Sequence, residues 1–274
     1  MKNKKIYSYD VTEKTTLIEL LAKDTGLSKQ SLKRYLNNGA VWVQKKGKKK
    51  IERTRRASFE LLPGSHVKFY YDAKLEKFEE LNPELIYENR HWGVWYKPAN
   101  LLTQGTKYGD ACSLERALEK LGKKVFLVHR LDKETAGLIL VAYSSKTASD
   151  FQQIWHTDKI KKMYLAEVLG EIEDTKEVQI IKKKLDDKDS ETHFTVVENR
   201  DKTTIIEAAL QTGRFHQIRR HFDLIGHPVM GDPDYGNKNK NEEGLKLIAH
   251  KLTITDPITD KAFAFELDEK KRSL

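Results

Sequence analysis

Hydrophobic and polar positions alternate with two different periods along this chain, which predicts both helices and strands. Leucines recur at the helical spacing between residues 17 and 21, and Ser28 stands where the N-cap of a second helix belongs. Short apolar runs at 41–43 and 67–70, separated by a Pro-Gly turn, are typical of strands. The first seventy residues are therefore expected to form two short helices followed by a small sheet.

A polar, acidic stretch at 73–84 interrupts this pattern and is the predicted linker. Beyond it, apolar runs of strand length alternate with segments of helical period, which predicts a larger α+β domain. Strands are predicted at 85–89, 92–96, 137–143, 164–169, 203–211 and 246–252, and helices at 113–121, 147–156 and 216–225. The predicted organisation is a basic module at 1–72, the linker at 73–84 and a second domain at 85–274.

Positive charge is concentrated at the N-terminus. Of the net +9 in 274 residues, residues 1–72 contribute 17 Lys and Arg against 7 Asp and Glu, or +10. Such a bias over a whole module favours a nucleic-acid partner over a solvated loop or a membrane surface, because phosphates attract clustered cations. The candidate contacts are Lys29, Lys33, Arg34, Lys45, Lys46, Lys48, Lys49, Lys50, Arg53, Arg55 and Arg56.

Composition excludes several other classes. No segment approaches the roughly 18 apolar residues of a membrane helix, and the basic N-terminus is not followed by an apolar signal region. The single cysteine, Cys112, cannot form an internal disulfide or a cysteine-based zinc site. A cytoplasmic protein that does not bind membranes is expected, and no obligate protein partner is evident.

Charged side chains lie among apolar runs in two segments of the second domain. Arg130 and Asp132 stand between two such runs, so they must be paired or exposed at a strand end. An Asx-turn at Asp132 is the structural alternative.

The segment 212–222 is rich in His and Arg. His216 and His221 would point about 140° apart on a helix, which argues against a zinc site, and its arginines fit a carboxylate or phosphates better. Tyr164, taken alone, is an ordinary strand aromatic.

The motif His129-Arg130-Leu131-Asp132-x-x-Thr135-x-Gly137-Leu138 resembles the signature of the RluA-type pseudouridine synthases. Further segments follow that family's order: Lys97-Pro98-Ala99-Asn100, Lys162-x-Tyr164-x-Ala166, Gly213-Arg214-x-His216-Gln217-Ile218-Arg219, His227-Pro228-Val229-x-Gly231-Asp232 and Ile248-Ala249-His250. Residues 15–72 also resemble the RNA-binding module named after small-subunit ribosomal protein four.

The resemblance implies a catalytic domain built on a mixed, largely antiparallel sheet, and isomerisation of uridine to pseudouridine without cofactor or metal. It makes Asp132 the catalytic carboxylate, as a nucleophile or as a base. Arg219 is the expected ion-pair partner that lowers the pKa of Asp132, and Tyr164 is expected to stack on the uracil. Arg130 is expected to fill the space of the displaced base, or else to form a structural ion pair, and His129 to contact the RNA.

Three positions depart from or add to the family pattern. Ala136 stands where Ser is usual, Phe215 where Thr or Ser is usual, and Arg220 is an extra cation beside Arg219. Structured RNA is the expected partner, with ribosomal RNA as first choice and transfer RNA as second. The alternatives are a non-catalytic RNA-binding or ribosome-assembly protein, and a metal-dependent nuclease using the His-rich segment.

Overall fold

A computed structural model describes residues 4–76, 80–272 and 274. In chain order its elements are β1 (Lys4–Asp10), β2 (Thr15–Thr16), α1 (Leu17–Thr25), α2 (Lys29–Asn37), β3 (Val41–Gln44), β4 (Ile51–Arg53), β5 (Glu60–Leu61), β6 (His66–Asp72), a 3₁₀ turn (Ala73–Leu75), β7 (Glu84–Glu88), β8 (Trp92–Lys97), α3 (Leu114–Lys120), β9 (Phe126–Leu127), β10 (Ala136–Ala142), α4 (Ser145–Ile154), β11 (Ile160–Leu169), β12 (Gln179–Lys182), β13 (Glu191–Asn199), β14 (Thr203–Leu210), α5 (Gln217–Leu224), β15 (Leu247–Thr255), β16 (Ala262–Glu266) and α6 (Glu269–Arg272).

The chain forms two compact units. One contains residues 1–82 and 102–122, and the other contains residues 83–101 and 123–274. The segment 102–122 is thus grouped with the N-terminal unit, although the sequence analysis assigned it to the second domain. Of the predicted linker at 73–84, the 3₁₀ turn lies at its start, and residues 77–79 fall outside the described residues. The predicted domain boundaries therefore stay a prediction.

The N-terminal unit contains the two predicted helices and an antiparallel sheet of order β1-β6-β3-β4. Each helix has the side-chain cap that its sequence indicates. Thr16 accepts the Glu19 N–H, and Ser28 accepts the Ser31 N–H at 3.1 Å. These caps satisfy backbone donors that have no partner within the helix. Strand β1 was not predicted, because most of its residues are exposed and it lacks a clear apolar period.

The second unit is built on a ten-stranded sheet. Its main order is β12-β13-β14-β11-β15-β10-β8-β7, with β16 paired to β15 and β9 paired to β10. Only the β10–β15 pair is parallel among the described strands. The predicted α+β class and the mixed, largely antiparallel sheet are confirmed.

Gly137 lets the parallel pair approach closely. Its φ is +125°, and a Cβ at this position would lie 2.3 Å from the Ala249 carbonyl oxygen. Ala249 pairs with Gly137 on one side and with Tyr164 on the other. The start of β10 and the middle of β11 are therefore only two strands apart, which brings the loop before β10 towards Tyr164.

The remaining apolar pattern is explained by burial in the sheet and its helices. Strands β8 and β10 are almost fully buried, as their continuous apolar runs predict. Strands β12, β13 and β16 were not predicted, since polar side chains are frequent in β12 and β13, and β16 is short and has only exposed and half-buried residues. Within the described residues, no helix is long and apolar enough to cross a membrane.

Candidate active site

Asp132 lies in the loop between β9 and β10, at the edge of a cluster of charged side chains. Its carboxylate is 29% exposed, with Oδ1 3.8 Å from His216 Nε2 and Oδ2 3.8 Å from Arg219 Nη1. Burial raises the pKa of Asp132, and the nearby His216 and Arg219 offset this only in part. Arg219 lowers the pKa of Asp132 as expected, but the net direction is upward, because loss of solvent around the carboxylate outweighs the attraction of the guanidinium.

Arg219 is fully buried on α5 and faces the cluster. Its Nε and Nη2 donate to the two oxygens of Asp232, both at 2.7 Å, and Nη2 also donates to Asp234 at 2.8 Å. These hydrogen bonds raise the pKa of the guanidinium further, so it stays charged. Arg219 faces Asp132 as expected, but its bidentate partner is Asp232, which the sequence analysis quoted only as part of a motif.

His216 connects Arg219 to Asp132 and has an unusual backbone. Arg219 Nη1 donates to His216 Nε2 at 3.0 Å, so the ring proton lies on Nδ1, which donates to the Tyr235 hydroxyl at 3.2 Å. Burial lowers the pKa of His216, which favours this neutral form. The φ of +51° is a left-handed conformation that is uncommon for a residue other than glycine. Surrounding contacts hold it there, among them the Arg220 N–H, which donates to the His216 carbonyl at 2.9 Å.

Gln217 fixes the turn that precedes His216. Its Oε1 accepts from the Thr212 hydroxyl at 2.7 Å and from the Arg214 N–H at 3.0 Å. Its Nε2 donates to the Glu191 carbonyl at 2.9 Å and to the Thr192 hydroxyl at 3.0 Å. All four capacities of this buried amide are used for structure. Gln217 stands in one of the family motifs, but the sequence alone assigns it no role.

Tyr164 is buried on β11, where the strand register shifts between Met163 and Tyr164. Burial, with a contribution from the charge of Asp132, raises the pKa of its phenol well above the usual value. The phenol therefore keeps its proton at neutral pH. It supplies an apolar ring face and one hydroxyl beside the catalytic carboxylate candidate.

Lys97, at the end of β8, supports the loop that carries Asp132. Its buried Nζ donates to the carbonyls of Leu101 at 2.7 Å, Pro98 at 3.0 Å and Lys133 at 3.2 Å. Burial lowers the pKa of Lys97 to about 7, against the effect of Glu134 and Asp132. The three carbonyl oxygens use all three ammonium donors, so this side chain joins two loops by hydrogen bonds.

His129 and Arg130 occupy different environments. The His129 ring stacks on Trp155 with centroids 4.4 Å apart, and its Nε2 accepts the Leu140 N–H at 3.0 Å. Burial lowers the pKa of His129 to about 3, so it is neutral and attracts phosphates weakly. Arg130 is exposed, and no carboxylate of the described residues lies within 4.0 Å of it. The RNA-facing roles of both stay predictions.

The basic residues of the N-terminal unit fall into two groups. Lys45, Lys46, Lys48, Lys49 and Lys50 are exposed, as are Lys29, Lys33, Arg34 and Arg56. Arg53 and Arg55 instead form ion pairs with Asp110, which leaves the two arginine side chains only 19% and 27% exposed. These two arginines hold the 102–122 segment, and the single carboxylate of Asp110 offsets half of their combined charge.

The two histidines of the His-rich segment point to different places. His221 is buried, with Nδ1 2.9 Å from the Thr192 hydroxyl and Nε2 2.9 Å from the Ser190 hydroxyl. His216 faces Asp132. They do not converge on one point, because His216 precedes α5 in a left-handed conformation while His221 lies within the helix.

This cluster combines a part-buried carboxylate, a permanent cation 3.8 Å away and a protonated phenol. Such a set suits nucleophilic or base catalysis by the carboxylate on a planar substrate that can lie against the ring. The fold and the site thus define an α+β protein with a candidate catalytic carboxylate.

Comparison with known proteins identifies the class of reaction. The sequence model described as RNA pseudouridylate synthase matches residues 91–224. Ribosomal large subunit pseudouridine synthase C of Vibrio vulnificus is 29% identical over 92% of this chain and 93% of its own length. The protein of that name in Vibrio parahaemolyticus is 30% identical over 77% and 73%. The structure of human RNA Pseudouridylate Synthase Domain Containing 1 is similar in fold, with a TM-score of 0.59 and 22% identity, over 70% of this chain and 86% of that one.

The chain belongs to the RNA pseudouridine synthase family. It is an isomerase whose substrate is uridine in RNA. These matches confirm the family that the motifs predict. The resemblance of residues 15–72 to the ribosomal-protein module stays a prediction.

Proposed function

We propose that this enzyme isomerises uridine in large-subunit ribosomal RNA and that Asp132 is its catalytic carboxylate. The observation that carries the proposal is the position of Asp132, part-buried between His216 and Arg219 and close enough to Tyr164 to raise its pKa. The names of the relatives from two Vibrio species support ribosomal RNA as the target.

In the proposed reaction, the bond between uracil N1 and ribose C1′ breaks, the uracil rotates, and a bond forms between C5 and C1′. The C5 proton is lost and N1 gains a proton, so the product is an isomer of the substrate. Asp132 acts as nucleophile, at C1′ or at uracil C6, or as base at C2′. Each role requires the ionised carboxylate, which the Arg219 guanidinium favours with Nη1 3.8 Å from Oδ2.

The neighbouring side chains have separate proposed roles. Tyr164 offers its ring to the uracil and its hydroxyl near C5, where a proton must leave. The target base must first leave its stack, at a cost of a few kcal/mol, roughly. Arg130 is exposed beside Asp132, and its guanidinium is flat enough to occupy the vacated space. His129 supports this loop as a neutral ring that contacts RNA without charge.

The N-terminal unit is proposed to bind RNA in the manner of the ribosomal-protein module that its sequence resembles. Its exposed lysines carry the charge that the nearly neutral remainder of the chain lacks. They would hold phosphates without selecting the target base. With one cysteine in the sequence, we propose that the enzyme works in the reducing cytoplasm.

The test is tritium release from RNA labelled at uracil C5, using an unmodified transcript of Vibrio vulnificus large-subunit ribosomal RNA. Wild-type protein should release tritium, and Asp132→Asn should be slower by at least about a hundredfold. Asp174→Asn, a half-buried aspartate paired with Lys176, is the matched control and should match wild type.

Each other outcome rejects a part of the proposal. Release by Asp132→Asn at the wild-type rate would show that another carboxylate is catalytic. Release only from transfer RNA would make transfer RNA the substrate. Tight RNA binding without release from either RNA would leave a binding protein.

A further inference from the structure

Phe215 is an exposed aromatic residue next to the candidate active site. It is 61% exposed, the highest value with Leu121 among the exposed large hydrophobic residues of the described chain. One face of its ring stacks on the His216 imidazole, with centroids 3.6 Å apart and planes 22° from parallel. Water contact over so much of a Phe ring is unfavourable by the hydrophobic effect.

The position of this ring is set by the active site itself. Phe215 stacks on His216, whose Nε2 lies 3.8 Å from the Asp132 carboxylate. The His216 imidazole is also perpendicular to the neighbouring Tyr235 ring. Phe215 therefore stacks directly on the side chain that faces Asp132, the candidate catalytic carboxylate. A base seated on the outer face of Phe215 would lie in the same neighbourhood as the reacting uridine.

The turn that carries Phe215 is held firmly. The next residue has the left-handed φ of +51°, and the Gln217 amide bonds the turn at the Thr212 hydroxyl and the Arg214 N–H. A ring held in place before binding loses little freedom when it stacks on a ligand. The exposed face is thus pre-organised for a flat partner.

The chemistry of the substrate identifies that partner. A uridine that leaves its stack exposes the faces of the bases on either side, and unpaired bases in RNA are recognised by stacking on aromatic side chains. Leu224, at the far end of α5, is similarly exposed at 56% but has no flat face, so exposure alone does not make a platform.

We infer that the outer face of Phe215 is a stacking platform for an unpaired RNA base adjacent to the target uridine. This inference rests on the proposed function and adds a residue that positions the RNA next to the target uridine. The pattern of the family usually has Thr or Ser at this position, and neither side chain has a flat face on which a base could stack.

The experiment is a double-mutant cycle between the protein and the RNA. The converted uridine is first mapped in the Vibrio vulnificus large-subunit transcript, and a stem-loop containing it is synthesised. Two further stem-loops each carry an abasic ribose, one immediately before and one immediately after that uridine. Dissociation constants and steady-state kinetics are measured for wild type, Phe215→Ala, Phe215→Leu, Phe215→Tyr and Leu224→Ala.

The platform predicts a specific pattern. Phe215→Ala should weaken binding of the intact stem-loop about five- to hundredfold, the range of base–aromatic stacking. Wild type should bind one of the two abasic stem-loops more weakly by a similar factor. The affinity of Phe215→Ala should be almost the same for that stem-loop and the intact one. Phe215→Tyr should restore binding and Phe215→Leu should not, KM should rise more than kcat falls, and Leu224→Ala should match wild type.

Other results would overturn the inference. Equal losses from the abasic changes in wild type and Phe215→Ala would show that no base stacks there. Full binding by Phe215→Leu would indicate an apolar contact without stacking. A change from dimer to monomer in Phe215→Ala, with RNA binding unchanged, would assign the face to a second copy of the chain.

Failure of the proposed function is separately visible. If wild type releases no tritium from the large-subunit transcript, the proposed target is wrong, and the cycle is run on the uridine converted in transfer RNA. A wild-type enzyme that is active on either RNA, with a null cycle at Phe215, overturns the platform alone.

Discussion

At the scale of single residues, the ionisation of Asp132 is the property most open to measurement. Its pKa is raised because burial disfavours the charged form more than His216 and Arg219 favour it. The carboxylate must be ionised to act, so activity should fall on acidification at a higher pH than the usual aspartate value of 3.8 implies.

The measurement is the pH dependence of kcat/KM for tritium release, which reports groups of the free enzyme. We expect one acid limb above the ordinary aspartate range. The acid limb should persist in His216→Gln, because the glutamine amide does not titrate in this pH range. A limb that disappears in this variant would belong to His216. Activity that is level down to the ordinary aspartate range would contradict the raised pKa.

Residue chemistry also separates two neighbouring arginines. Arg219 is buried and bound to Asp232, whereas Arg220 extends outward to Asp186 with contacts of 2.8 and 2.9 Å. The position after Gln217-Ile218 in the motif favoured Arg219 as the one that faces the site, and its position in the structure agrees.

At the scale of elements, the ion pair between Arg219 and Asp232 joins α5 to the loop that follows it. Asp232→Asn removes the charge from a fully buried pair, so the variant should lose about 3 kcal/mol of the free energy of unfolding. Activity should fall with it, because Arg219 would be free to turn away from its place beside Asp132. Urea unfolding and tritium release measure both effects.

Asp186→Asn is the matched control, since it removes the partner of the adjacent arginine at the surface. It should leave the unfolding midpoint and the activity close to those of wild type, because exposed ion pairs contribute little. Equal losses in the two variants would mean that the buried pair has no special structural role.

The positions of the helices and strands also show which of them the periodicity of apolar residues predicts. Helix α1 and strands β8 and β10 follow patterns that are plain in the chain, and their caps or apolar runs mark their ends. Strands such as β1 and β13 are stabilised chiefly by their neighbours in the sheet. Their sequences carry no apolar signal strong enough to predict them.

At the scale of the whole molecule, charge is divided between the two units. The lysines of the 45–50 loop are exposed, and of them Lys50 pairs with Glu52 at the surface, whereas Arg53 and Arg55 are bound to Asp110. Replacing all five lysines by Gln should weaken RNA binding and reduce the slope of log affinity against log salt. The reduction is about 0.7 for each lost contact to single-stranded RNA.

Filter binding or fluorescence anisotropy over a salt series measures that slope, with turnover on saturating RNA as a second readout that should change little. The matched control removes five exposed lysines from the second unit by the same substitution, at Lys176, Lys184, Lys188, Lys202 and Lys261. A slope reduced equally by both sets would show that binding depends on total charge and not on the N-terminal unit.

Local spacing and motif order were sufficient for the α+β class, most helices, the family, and the set of Asp132, Tyr164 and Arg219 as candidates. These are properties of neighbours along the chain, where helical and strand periods leave their mark. The partners of those residues depend on contacts between distant segments, as Arg53 with Asp110 and Lys97 with the Lys133 carbonyl show. The direction of the Asp132 pKa depends on burial, which is decided only when the sheet, α5 and the loops exclude water together.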